Sequence, residues 1–188
     1  MAASKKAKKS SFTAADLAGI IAPMTTPFSR KGEVDEAAFR RQARFLIEAG
    51  VHGLAVGGST GEGHTLSGKE ARRLMRIALS EAKGQVPVIA GIIVDSTRQA
   101  IERAEAVADL GPAALQITPV HYLFRPDDEH MLTHFRTVGR ATKTPILIYN
   151  VVPWSYLSPA LLVRIVKAVP EVVGVKQSAG DMKLLADL

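Results

Sequence analysis

Residues 145–177 read PILIYNVVPWSYLSPALLVRIVKAVPEVVGVKQ. The segment opens on a short apolar run ending in Tyr149 and Asn150. It passes through an amphipathic stretch from Ser158 to Ala168 and closes on a second run, Val172 to Val175, that ends in Lys176 and Gln177. Short β-branched runs are typical of buried parallel strands, and the intervening stretch has helical spacing. This is a strand–helix–strand unit with a chemically active side chain at the carboxyl end of each strand.

The same alternation extends outward to Ser11. Earlier apolar runs are Gly19 to Met24, Gly53 to Val56, Val86 to Val94 and Ala113 to Thr118. Helical stretches run from Asp35 to Ala49, Ser67 to Lys83, Ser96 to Leu110 and Pro126 to Thr142. Ser67 ahead of Glu70 is a capping-box pattern, and Gly50, Gly84 and Gly111 follow helix ends. Strand starts recur about every 30 residues, the size of one βα unit, so six units fit, the last with only the first turns of its helix. Right-handed crossovers between such strands produce a parallel α/β sheet. Periodicity alone leaves an open Rossmann-type sheet and a partial barrel both available.

The strand ends separate them. Thr25-Thr26, Gly57-Gly58-Ser59-Thr60-Gly61-Glu62, Thr118, Tyr149-Asn150 and Lys176-Gln177 all follow strands, spread around the sheet as in a (β/α)8 TIM barrel. A Rossmann sheet would concentrate glycines in its first βα turn, and residues 20–28, IIAPMTTPF, contain none. The expected fold is therefore of TIM-barrel type. A complete barrel takes about 250 residues; with 188, about six of its eight units are expected here. Unpaired first and last strands would make the chain unstable, aggregated or dependent on assembly.

Composition excludes other classes. With 47% hydrophobic and 22% charged residues the chain is globular rather than disordered. No apolar run approaches the ~20 residues of a membrane span. Cysteine is absent, which removes disulfides and thiolate chemistry and suits a cytoplasmic setting. The net charge of +6 concentrates in Lys5, Lys6, Lys8 and Lys9, so residues 1–12 are expected to be a basic flexible tail and residues 13–188 the barrel domain. No nucleic acid or membrane partner is expected.

Lys176 carries the most information. Its strand should be buried, and desolvation disfavours an ammonium, freeing the amine to attack a carbonyl; the alternative is a lysine snorkelling into solvent. Tyr149 would lie beside it on the neighbouring strand as a proton shuttle, or serve as a core tyrosine. GGSTGEG, residues 57–63, would bring Gly58 backbone and the Ser59 and Thr60 hydroxyls to a small carboxylate, or form a glycine turn without ligand. Gly63-x4-Gly68-Lys69 approximates a P-loop but is followed by Glu70, which lacks the magnesium-binding hydroxyl. His130 and His134 share helical spacing beside Glu129 but are expected on a solvated helix face. No metal and no dissociable cofactor are expected.

The set Pro23-x3-Pro27-Phe28, Gly57 to Glu62, Thr118-Pro119, Tyr149-Asn150-x-x-Pro153 and Gly174-Val175-Lys176-Gln177-Ser178-x-Gly180-Asp181 resembles the N-acetylneuraminate lyase and dihydrodipicolinate synthase family from about Leu17 to Leu188. The resemblance implies a barrel, commonly a homotetramer, performing class I (Schiff-base) aldolase or lyase chemistry on pyruvate or another 2-oxo acid. It implies Lys176 as the imine-forming lysine and Tyr149 as its proton-transfer partner. Ser59 and Thr60 would be hydroxyls at the substrate carboxylate and in the relay. In the synthase branch a loop tyrosine reaches a neighbouring subunit's relay; Tyr122 matches it, with His121 as the other candidate. That branch also carries an arginine after its Tyr-Asn-x-Pro, whereas YNVVPWSYL has none before Arg164. Together with Ser59-Thr60 and Lys176-Gln177-Ser178, this leans toward the lyase side, with dihydrodipicolinate synthase or a catalytically inactive fragment of such a barrel as alternatives.

Overall fold

The computed structural model describes residues 10–188, so the expected basic tail lies outside the described residues up to residue 9. Ser10–Phe12, its described end, line a cleft with Leu79, Val86 and Leu110. The strands are β1 (Ile21–Pro23), β2 (Gly53–Val56), β3 (Val88–Ile92), β4 (Ala114–Ile117), β5 (Ile146–Asn150) and β6 (Val172–Gln177). They alternate with α1 (Glu36–Glu48), α2 (Gly68–Ala82), α3 (Thr97–Ala108), α4 (Asp128–Thr142), α5 (Pro159–Ala168) and α6 (Met182–Ala186). All strand pairs are parallel and the sheet order is β1-β2-β3-β4-β5-β6, six staves of a partial TIM barrel.

Each helix begins where the sequence supplies a cap. Asp35, Ser67, Ser96, Asp127, Ser158 and Asp181 each accept a backbone N–H of the first turn, and Ser67 with Glu70 completes the capping box. Such a cap contributes about 1 kcal/mol. The main core lies between sheet and helices, where Leu54, Val88, Leu115, Ile117, Ile146 and Ile148 meet helical residues such as Phe39, Leu74, Phe135 and Leu162. Ala55, Ile89 and Ala114 form a second cluster with Leu17, Ile21 and Leu147. Strand alternation places this second set on the opposite, inner face of the sheet. Among the described residues no helix is long and apolar enough to cross a membrane.

Two expectations are corrected. The strand carrying Lys176 is not buried: only Val172 is, Val173 is exposed and the rest are half-buried. Among the described residues β6 pairs with β5 alone. His134 is not on a solvated face either. It is 4% exposed, shares a hydrogen bond of 2.9 Å between its Nδ1 and the Thr97 hydroxyl, and meets Phe135 edge-on at 4.9 Å. Burial drives its pKa down to about 4, opposed by the Thr118 backbone, and its Nε2 is buried without a hydrogen-bond partner among the described residues. His130 is exposed, bonded to Asp127.

Candidate active site

β5 and β6 bring Tyr149 and Lys176 together because these residues are direct partners in the parallel ladder. Partners in adjacent strands point to the same face. The Lys176 Nζ lies 4.3 Å from the centroid of the Tyr149 ring, over its face. Tyr149 is buried and its phenol shares a hydrogen bond of 3.1 Å with the Ser59 hydroxyl. Ser59 comes from the loop after β2, 90 positions earlier.

That loop is shaped by backbone packing. Ser59–Gly61 form a 3-10 turn, and Gly61 and Gly63 N–H both donate to the Gly58 carbonyl. A Cβ on Gly63 would lie 1.7 Å from the Gly57 carbonyl oxygen, and one on Gly91 2.4 Å from the same atom. These glycines are therefore required by the loop's own closure, before any ligand is considered. Thr26 anchors the loop to the end of β1 through a 2.6 Å bond from its hydroxyl to the Gly61 carbonyl. The N–H groups of Ser59 and Thr60, at the open end of the turn, donate to no partner among the described residues. Gly58 lies over the Gln116 side-chain amide, where a Cβ would sit 3.4 Å from Nε2, in ordinary contact.

Thr60 is exposed beside Ser59. Tyr122 is 72% exposed and shares with Ser59 a cleft of about 780 Å³, also lined by His121, Asp95, Val152 and Trp154. Tyr122 reaches neither Ser59 nor Tyr149, whose hydroxyls bond each other. The His121 ring is held by the Pro119 carbonyl at 2.9 Å and by Asp95 at 3.2 Å, which turns it across the cleft wall. The structure thus unites Lys176, Tyr149 and Ser59, sets Thr60 and Gly58 next to Ser59, and leaves Tyr122 and His121 on the rim.

Sequence reasoning missed Gln116, whose side-chain amide nitrogen is buried without a partner under the Gly57–Gly58 turn. A lone polar residue in the apolar run AALQI, at an alternation position shared with Thr118, was the available signal. It also missed Asn150 as a clamp. This fully buried side chain donates to the Leu157 carbonyl and accepts from its N–H, at 3.1 and 2.9 Å. Among the described residues no group of three or more His, Asp or Glu gathers where a metal ion could be held. A primary amine beside a phenol that is itself bonded to a hydroxyl can condense with a carbonyl and pass the protons this requires.

Known proteins resemble this chain in sequence and in fold. The dihydrodipicolinate synthetase family profile matches residues 16–188. The 4-hydroxy-tetrahydrodipicolinate synthase of Methanopyrus kandleri is 37% identical over 171 residues, covering 89% of this chain and 56% of its own length. That of Phenylobacterium zucineum is 40% identical over 167 residues, covering 87% and 55%. The chloride-inhibited dihydrodipicolinate synthase of Acinetobacter baumannii, solved with pyruvate, aligns at a TM-score of 0.83 and 32% identity over 88% of this chain and 57% of that one. The chain spans just over half the length of the relatives it matches. With the profile covering every strand and the whole Lys176–Tyr149–Ser59 cluster, the chain belongs to the dihydrodipicolinate synthetase family.

Proposed function

We propose that this chain carries the imine-forming centre of a pyruvate-dependent class I aldolase or synthase, a lyase. The observation that carries the proposal is the Lys176–Tyr149–Ser59 cluster: an amine 4.3 Å from a phenol ring, and that phenol bonded to a hydroxyl. The Lys176 amine adds to the C2 carbonyl carbon of a 2-oxo acid. The carbinolamine oxygen takes a proton delivered through Tyr149 and leaves as water, giving the imine. Loss of a C3 proton to the tyrosinate then forms an enamine whose C3 attacks an aldehyde; the reverse sequence cleaves the same C–C bond. The free N–H groups of Ser59 and Thr60, with the adjoining hydroxyls, suit the substrate carboxylate.

The relatives named 4-hydroxy-tetrahydrodipicolinate synthase favour the condensation branch over the lyase lean of the local motifs. Against an aldehyde that itself carries a carboxylate stands the segment after β5. Trp154 there donates its indole N–H to the His121 carbonyl at 2.7 Å, and Arg164, the first arginine, is paired with Glu129. We therefore assign pyruvate as the first substrate and an aldehyde as the second. Assembly with further chains is part of the proposal, since Tyr122, Leu123, Phe124 and Trp154 expose a large apolar rim.

The test is borohydride trapping with pyruvate, read by intact mass and peptide mapping. A pyruvate-derived adduct on Lys176, lost in Lys176→Met and slowed in Tyr149→Phe, is expected. No adduct on the parental chain means a binding or assembly module without turnover. Loss of the pyruvate adduct when aldehydes, L-aspartate 4-semialdehyde included, react with the enamine before borohydride is added then ranks the second substrate.

A further inference from the structure

β5 and β6 do not pair in simple succession. Ile146 is opposite Val172 and Leu147 is opposite Gly174, so Val173 has no partner on β5. After that extra residue, Tyr149 meets Lys176 and Asn150 meets Gln177. Successive residues of a strand point to opposite faces, and a shift of one residue exchanges the faces. Without the extra residue Val175 would stand opposite Tyr149. Lys176 would then stand opposite Asn150, whose side chain turns to Leu157 and away from the Tyr149 side.

The surroundings of β6 record the same flip. Val172 belongs to the core between sheet and helices. Two residues on, where strict alternation demands the same face, a Cβ on Gly174 would instead meet Leu147 of the inner cluster at 3.1 Å. Val175 is again on the helix side, near Leu162 and Val166. Bulges characteristically re-aim a side chain beside a reactive site.

An edge strand with an irregular pairing needs a pin against slippage. Asn150 supplies one: its side-chain amide donates to the Gln177 Oε1 at 3.1 Å while also holding both backbone groups of Leu157. Its own carbonyl accepts the Ser178 N–H at 3.1 Å. We propose that the unpaired Val173 and the Asn150–Gln177 bond together form a register lock that aims Lys176 into the barrel over Tyr149, making Gln177 and Asn150 positioning residues. The catalytic consequence rests on the imine-forming role assigned to Lys176; the register itself does not.

Gln177→Leu removes the pinning acceptor at similar volume, and Gln177→Glu restores an oxygen that can accept the same bond. In the full chain, the maximal trapping rate with pyruvate and borohydride should fall about tenfold in Gln177→Leu and return to within about twofold of parental in Gln177→Glu. The pyruvate concentration giving half-maximal trapping should stay put, because the carboxylate subsite is untouched. An unchanged Gln177→Leu rate overturns the catalytic part of the proposal.

Absence of cysteine gives a second readout independent of activity. A short bifunctional thiol reagent should bridge a Tyr149→Cys/Lys176→Cys pair faster than a Tyr149→Cys/Val175→Cys pair, by about tenfold or more. That preference should shrink in the Gln177→Leu background. Equal or reversed rates overturn the register, and a preference unaffected by Gln177→Leu overturns the pin. If the parental chain traps no pyruvate, the imine assignment fails and the cysteine pairs alone decide the lock.

Discussion

β4 and β6 are comparably apolar in sequence, yet they live in different environments. Every residue of β4, ALQI, is buried, including Gln116. Of β6, VVGVKQ, only Val172 is. β4 has strands on both sides, whereas β6, although α5 packs against it, has among the described residues only β5 beside it and the five-residue α6 following it. Side-chain apolarity states a demand for burial; the number of neighbours decides whether it is met. The strand with two neighbours is thus the buried one, while Lys176 stands on the more exposed strand.

The contrast breaks first at the core. Phe135→Ala, on α4, should cost about 3–5 kcal/mol in chemical denaturation, and Val173→Ala on β6 below about 1 kcal/mol. Equal costs would show that β6 is as well supported as β4. Amide exchange should give the same ranking, with β4 amides slower than those of β6 by on the order of a hundredfold.

His134 sharpens the comparison by pH. Its folded pKa of about 4 lies below the ordinary 6.5, so the unfolded chain binds the proton more readily. Its stabilising effect is complete above pH 6.5 and declines as pH falls through 6.5 toward 4, by up to about 3 kcal/mol. Glu70 and Glu81, held below the ordinary 4.5 by Ser67 and by Arg44 respectively, act in a lower window. A stability-versus-pH curve should thus slope between 4 and 6.5, and His134→Gln should flatten that portion; a slope that survives assigns it elsewhere.

The smallest effect separates two caps. Ser67→Ala, which removes the capping box of the well-packed α2, should cost about 1 kcal/mol. Asp181→Ala, at the start of exposed α6, should cost less than about 0.5 kcal/mol, because that helix is coupled to little else. Thermal or denaturant midpoints measure both.

Much of this molecule was legible in the chain. Helices α1 to α5 fall within about two residues of their sequence spans, because Ser and Asp caps, amphipathic spacing and terminal glycines act over one or two turns. The strand ends that carry Tyr149 and Lys176 were readable because each follows directly on a short apolar run. His134 was misjudged although the signal was present: Met131, Phe135 and Val138 put it on the buried stripe of α4.

Other features had no local signature. Nothing in VVGVKQ announces that Val173 will stand unpaired, since the mismatch exists only relative to β5. Asn150 is read as the end of a strand, but its bonds go to Leu157 and Gln177, partners fixed by the path of a loop and by a neighbouring strand. Short-range chemistry was enough to specify the βα rhythm, the helix ends and which side chains stand at strand ends, because those depend on torsions and hydrogen bonds within a few residues. Which face Lys176 occupies, what Tyr149 touches and how far β6 is buried depend on pairing between distant segments. Those properties come into being when the sheet assembles.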